Sequence, residues 1–439
     1  MIDVIISNID TGKLDAANSD RTIGKAGLAI NAISEAMVKS SVRMFGDRFY
    51  CFNGQIYEPV NKMEGVIMGL LCRIDPSGQL SGRHASITSG VLKSISMNEL
   101  NVDNSLICFK NCVLDMETEK KMNFSREHHV VSRLDYDYDP SAKPDLWLRF
   151  LHDVLPDDES ITLLQEFLGA IFVDRRKAKI ETMLFLLGKG ANGKSVVFDT
   201  VTGVLGSRNV SNYEISDLTN SIDKKKNVVD INGKLLNYCS EVSSKSFASS
   251  SFKALVSGEP QQGRPVYGMP VKVENIPLMM ANANTMPSYQ DMSDGVYRRI
   301  VILPFERVIP EAEQDKELSS KMRMEYPAIM NWILDGRRNI ARRGYKLTIS
   351  NSARSAMDTY RGENNSVYEF IEASGLVPAG EGEPERTGAR DLYAMYKEFC
   401  DSSGLDAEKE TGFGRTLSNI GFAKVRTAKG NMYNIFTKQ

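Results

Sequence analysis

Met183-Leu184-Phe185-Leu186-Leu187-Gly188-Lys189-Gly190-Ala191-Asn192-Gly193-Lys194-Ser195 is the stretch whose reading decides the fold. Five apolar residues predict a buried strand, and the helical periodicity of Lys194–Leu205 predicts a helix directly after the glycines. Between them Gly188, Gly190 and Gly193 let the backbone turn so that its N–H groups, including those of Ala191, Asn192 and Val196, aim at phosphate oxygens. Lys194 would reach the β- and γ-phosphates, and the Ser195 hydroxyl would hold Mg²⁺. The positive end of the following helix adds to the attraction. ATP and Mg²⁺ are therefore the expected ligands.

Three further motifs narrow the chemistry. Leu235-Leu236-Asn237-Tyr238-Cys239-Ser240-Glu241 reads as a mostly apolar strand ending in an acid. Glu241 is placed there to polarise an attacking water, and with Ser195 it is a candidate metal ligand. Ser240 stands where a second acid would be usual. A later strand ends in Ala281-Asn282-Ala283-Asn284-Thr285-Met286-Pro287, where an amide from Asn282 or Asn284 can orient water or sense the γ-phosphate. Gly295-Val296-Tyr297-Arg298-Arg299 then precedes the apolar run Ile300–Leu303. A guanidinium at Arg298 or Arg299 can stabilise charge on a transferring phosphoryl group, including one bound by a neighbouring subunit.

Working outward, strands and helices alternate from residue 181 to 345. That pattern predicts an α/β fold with a parallel central sheet covered by helices. Strands are expected at Met183–Leu187, Leu235–Cys239, Ile276–Ala281 and Ile300–Leu303, a hairpin around Tyr267–Pro270, and a long helix at Pro327–Arg343 with a basic flank. Upstream, 1–140 reads as an α+β region, with a hairpin at the Asn53-Gly54 turn. Residues 141–180 read as a helical segment, and as a candidate oligomerisation collar. Residues 346–365 read as a polar linker. The last part, 366–439, reads as three helices and a hairpin, a winged-helix-like module. Arg415, Lys424, Arg426, Lys429 and Lys438 give it a local basic face, with no acid after Thr411.

The bulk numbers set limits. Of 439 residues 42% are hydrophobic and 25% charged, an ordinary globular balance. The net charge of −2 excludes a generally basic coat, so nucleic-acid contact must come from local patches or from a pore lined by several subunits. Six scattered cysteines and four histidines make no zinc-finger spacing, and Cys108 and Cys112 are expected to pack in the core. No secretory signal and no run of about 18 apolar residues is present, so a cytoplasmic protein without a membrane is expected. Asp135-Tyr136-Asp137 has a spacing that could hold metals for primer synthesis, but its proline-rich surroundings favour a turn.

Taken in order, LFLLGKGANGKS, LLNYCSEV, FKALVSGEPQQGRPVYG, PLMMANANTMP and GVYRRIVILPF resemble the superfamily 3 helicases, and within them the phage, plasmid and poxvirus primase-helicase family. FKNCVLDMETEK and FLHDVLPDDESITLLQEFLGAIF extend the resemblance upstream. DLYAMYKEFCDSSGL and FGRTLSNIGFAKVR extend it downstream. The resemblance implies an AAA+-like ring, usually a homo-hexamer, with ATP between subunits and single-stranded or forked DNA as partner. A separate primase or polymerase would serve it. It implies Lys253, Arg264, Tyr267 and Lys272 as DNA contacts on or before a channel hairpin. It also implies Asn284 as the sensing amide and an arginine of the Arg298/Arg299 pair, with Arg299 preferred, as the group donated in trans. A DNA-binding ATPase that loads or switches without unwinding is the competing expectation; a small-molecule kinase explains neither the arginine pair nor the basic tail.

Overall fold

The computed structural model describes residues 5, 8, 24–45, 48–74, 82–94, 100, 102, 105–219, 222–242, 250–266, 269–286, 294–363, 365–378, 385–427 and 430–437. The helix Gly24–Lys39 leads into an antiparallel sheet of β1 (Val42–Phe45), β2 (Arg48–Phe52) and β3 (Tyr57–Pro59). The β2–β3 turn forms where it was expected. The Asn53 side-chain oxygen accepts from the backbone N–H of Gln55 and of Ile56, both at 2.9 Å, and Gly54 takes φ +104°. Helices Met63–Ile74 and Gly82–Ser94 cover this sheet, with Ile67, Leu70, Leu71 and Leu92 fully buried. A second small sheet follows: β4 (Leu106–Cys108), β5 (Val113–Asp115) and β6 (Lys121–Met122). Cys108 and Cys112 are buried free thiols here, and burial pushes the Cys108 thiol up to about 12. Asp135 and Tyr136 form a bend, and Asp137 follows it outside any strand or helix.

Helices Asp145–Val154 and Asp158–Ala170 come next, then the central sheet. Its strands are β7 (Met183–Leu187), β8 (Val210–Ser211), β9 (Leu236–Cys239), β12 (Leu278–Ala283) and β13 (Ile300–Pro304); β10 (Gln261–Gly263) and β11 (Val271–Val273) make a separate antiparallel hairpin. All pairings in the central sheet are parallel, in the order β13-β7-β12-β9-β8. Parallel strands are covered on both faces, which is why these runs are apolar nearly throughout. Alternate residues serve opposite cores. Leu184, Leu186, Tyr238 and Met280 meet the helices Asp145–Ala170, Lys194–Leu205 and Tyr326–Arg342. Met183, Phe185, Met279 and Ile302 meet Val228, Phe252 and Leu255 on the other side.

Two helices cross backbone to backbone. A Cβ on Gly169 would lie 2.1 Å from the Arg337 nitrogen, and one on Gly336 would lie 2.1 Å from the Gln165 carbonyl oxygen. The basic flank of Tyr326–Arg342 is used in packing. Arg338 Nη1 donates to both carboxylate oxygens of Glu119 at 3.0 Å, and Arg337 donates to the Phe172 carbonyl at 3.0 Å.

The segment read as a linker is different. Asn351–Glu363 is a helix against β13, with Ala353 and Tyr360 buried and Ala356 and Met357 beside them. Those four positions repeat at helical spacing, but two are alanines and the rest of the helix is polar, so the stripe is faint. The β12 strand also starts and ends two residues later than expected. The C-terminal part has helices Ser366–Ala373, Ala389–Ser403 and Glu410–Ile420 around one core. Its strands are β14 (Leu376–Val377), β15 (Glu385–Gly388), β16 (Lys424–Thr427) and β17 (Gly430–Thr437). Strand β17 pairs with the other three, and β16–β17 is the expected hairpin. No described helix is long and apolar enough to cross a membrane.

Candidate functional site

The glycine-rich loop Gly188–Gly193, read from sequence as a phosphate-binding loop, links the end of β7 to the helix Lys194–Leu205. Gly193 caps that helix at φ +87°, where a side chain would be strained. A Cβ at Gly188 would sit 2.1 Å from the Asn192 amide nitrogen and 2.4 Å from the Phe305 carbonyl oxygen, so only glycine fits. Asn192 is buried and works as a brace. Its Nδ2 donates to the Phe305 carbonyl at 3.1 Å, and its Oδ1 accepts from Lys194 Nζ at 3.0 Å. The Lys194 ammonium also donates to the Gly188 carbonyl, and burial lowers its pKa from the ordinary lysine value. Ile309 N–H binds the Ala191 carbonyl at 2.7 Å, fastening the loop to the chain beyond β13.

The loop opens on a cavity of about 800 Å³. Gly190 to Val196, Ser240, Glu241, Asn282 and Asn284 all line it, with Phe150, Phe198, Ile309 and Leu318 as apolar wall. The sheet order explains the convergence. β12 lies between β7 and β9, so the acid reaches the loop across the asparagine strand. Ser195, Glu241 and Asn284 are exposed to the cavity. Asn282 is buried, and its Oδ1 accepts from the Tyr238 hydroxyl at 2.9 Å. Burial holds the Tyr238 phenol far above its usual pKa, so it stays a donor. Of the two amides, Asn284 is the one whose side chain is exposed where the cavity opens.

With this geometry in place, three family models match the chain. Residues 52–156 match one described as D5 N terminal like, 186–299 match a family of unknown function (DUF5906), and 362–437 match one described as poxvirus D5 protein-like. The first and third support the primase-helicase family read from the motifs. The chain is also similar to solved structures of the NrS-1 C-terminal region. One apo structure is 11% identical over 92% of this chain and 98% of that chain, with a TM-score of 0.46. An A-form apo structure is 13% identical over 76% and 96%, with a TM-score of 0.41.

The arginine pair divides sharply. Arg298 is exposed, and Arg299 is 7% exposed. Arg299 donates from Nε to the Ser257 hydroxyl at 2.9 Å, from Nη1 to the Gly295 carbonyl at 2.7 Å and from Nη2 to Glu181 at 3.2 Å. A guanidinium so engaged within its own chain is not free to reach outside it, so the expectation that preferred Arg299 for donation in trans does not fit this geometry. Arg175, half-buried, is a second internally bonded arginine that the sequence did not single out. It donates to the carbonyls of Ile180, Val256, Ile276 and Pro277 beneath the sheet, and desolvation lowers its pKa to about 10. No local signal distinguishes it, because its partners are carbonyls.

The expected DNA contacts are only partly together. Lys272 lies on β11 and is ion-paired with Glu274; Arg264 immediately follows β10, exposed. Lys253 is on the helix Ser250–Val256 before the hairpin, and Tyr267 lies outside the described residues. Val266 and Met269, 60% and 78% exposed, add an apolar tip that the motif reading missed. In the C-terminal part Arg415, Lys424 and Arg426 are exposed, while Lys429 and Lys438 lie outside the described residues. No group of three or more metal-ligating side chains occurs among the described residues. Mg²⁺ is ordinarily held by one or two side chains, phosphates and water, and Ser195 with Glu241 fits that mode.

Proposed function

We propose that the protein is an ATP-driven DNA motor, a helicase or translocase that replicates a phage, plasmid or other mobile element as a ring of identical subunits. The observation that carries the reading is the single cavity lined by Lys194, Ser195, Glu241 and Asn284 while Arg298 stands exposed outside it. In this reading the loop N–H groups and Lys194 bind the triphosphate, displacing the ammonium from the Gly188 carbonyl. When bound, Mg²⁺ neutralises phosphate charge from its seat on Ser195. Glu241 accepts a proton from the attacking water, which Asn284 orients. Arg298 of the adjacent subunit supplies the charge that stabilises the transferring phosphoryl group. The β10–β11 hairpin follows the strand through Arg264 and Lys272, with contacts mainly to phosphates and therefore sensitive to salt. The C-terminal helices and hairpin form a winged-helix-like module whose basic residues approach the duplex ahead of the fork.

The test pairs ATP hydrolysis, with and without single-stranded DNA, with strand separation of a forked duplex. DNA-stimulated hydrolysis together with unwinding is expected. Hydrolysis without unwinding would move the reading to a loader or switch. Absence of both DNA binding and stimulation would overturn it.

A further inference from the structure

Strand β13 is an edge of the central sheet, and an open groove of about 520 Å³ lies between it and the helix Asn351–Glu363. Its floor is apolar, with Val301, Leu347, Ile349 and Met357. Its rim is basic: Lys179, Arg298, Lys346 and Arg354 are exposed. The acids beside them are Asp358 and Glu181, and Glu181 is engaged by Arg299. An apolar floor inside a basic rim suits an acidic segment with an apolar tip.

The chain carries such a segment just beyond β13. Glu306-Arg307-Val308-Ile309-Pro310-Glu311 continues through Glu313, Asp315 and Glu317, and Val308 is 60% exposed. Arg307 is turned back onto Asp153 and Glu313. Glu306 and Glu311 make no ion pair with the described residues, so acidic charge on both sides of Val308 is left for a partner. The segment cannot fill the groove of its own subunit. It leaves the C-terminal end of β13 and is fastened to Ala191, whereas the groove includes Lys179 to Thr182 and Ile300 at the strand's start. Five residues of strand put about 15 Å between those ends. The same segment borders the nucleotide cavity through Glu313 to Lys316.

We infer that the groove receives the segment Glu306–Glu317 of a second copy of this chain. The contact is head-to-tail, the kind that closes a ring when its rotation permits. It carries Arg298, on the groove rim, to the mouth of that copy's nucleotide cavity. The inference rests on the ring motor proposed above and names the surfaces that build it.

Two charge-reversed full-length chains test it: Lys346→Glu with Arg354→Glu on the rim, and Glu306→Lys with Glu311→Lys on the segment. Sedimentation velocity with Mg²⁺ and a non-hydrolysable ATP analogue reads assembly. A fluorescent ATP analogue checks that each chain still folds and binds nucleotide. Each variant alone is expected to associate on the order of tenfold more weakly than wild type. An equimolar mixture should assemble again, because each reversed surface then meets its opposite charge. Unchanged assembly of the rim variant, or no recovery in the mixture, overturns the groove while leaving the ring motor standing. A wild-type chain that stays monomeric with nucleotide and single-stranded DNA overturns both.

Discussion

Substituting the two adjacent arginines by alanine should separate two kinds of loss. Arg299→Ala removes a buried guanidinium and leaves the Gly295 carbonyl and the Ser257 hydroxyl without their donor. Each such group costs about 1–1.5 kcal/mol when left unpaired, and Glu181, at 40% side-chain exposure, can turn to water. The total is about 2–3 kcal/mol. For a unit the size of the central α/β domain that lowers the melting temperature by roughly 4–12 °C. Arg298→Ala touches an exposed side chain and should move stability by no more than about 0.5 kcal/mol. Its loss should instead reduce ATP turnover by a factor on the order of 10³ with nucleotide binding intact. Thermal unfolding monitored alongside steady-state ATPase, at one matched protein concentration, reads both quantities. If Arg299→Ala melts like wild type yet loses hydrolysis, and Arg298→Ala stays active, the reasoning from burial is refuted.

Three further outcomes are expected. Glu241→Gln should keep ATP affinity and lose hydrolysis, as read by equilibrium binding and single-turnover assays; normal turnover would point to a different base. Gly188→Ala should collapse nucleotide binding, because the new methyl meets the Asn192 amide and the Phe305 carbonyl; an alanine variant with wild-type affinity would show that the brace is dispensable. Asp157 caps the helix Asp158–Ala170 through the Ser160 N–H at 2.7 Å and accepts from Ser352 at 2.8 Å. Asp157→Ala should therefore cost about 1–2 kcal/mol in a denaturant titration. Burial raises the pKa of that carboxyl, but bonds from Ser352, Ser160 and Glu159 outweigh it and leave the value below normal. Its stabilisation is thus full above the unfolded value near 4 and lost as pH falls through the lowered folded value, and the variant should lack that acid-side loss.

The parallel sheet was legible because burial on both faces leaves an unbroken apolar run, as at Met183–Leu187. The turn from β7 into the helix Lys194–Leu205 was legible because its glycines serve local backbone geometry. What escaped depends on partners distant in sequence. Arg299 looks like a surface residue until Glu181, 118 positions away, and Ser257, 42 away, are brought to it. The extent of β12 was misjudged because Asn282 looks too polar for a buried strand, and only the Tyr238 hydroxyl makes it tolerable. The helix Asn351–Glu363 was hidden because two of its four inner positions are alanines and the rest of the helix is polar. Glu181 and the groove beside β13 could not be read at all, since an absence of packing has no local signature.

The crossing of the helices Asp158–Ala170 and Tyr326–Arg342 has a mechanical consequence. Side chains between helices act as bearings, permitting small slips by changing rotamer. At Gly169 and Gly336 there are none, so the two helices can only turn together as one stiff beam, about 25 Å long on its longer member. One end of the assembly meets the helix Lys194–Leu205, where the Tyr326 ring packs against Gly203. The other runs into Tyr345, Lys346 and Leu347, the wall of the edge-strand groove. A shift of the helix Lys194–Leu205 is thereby geared to the groove beside β13, and the beam's stiffness sets how much of it arrives.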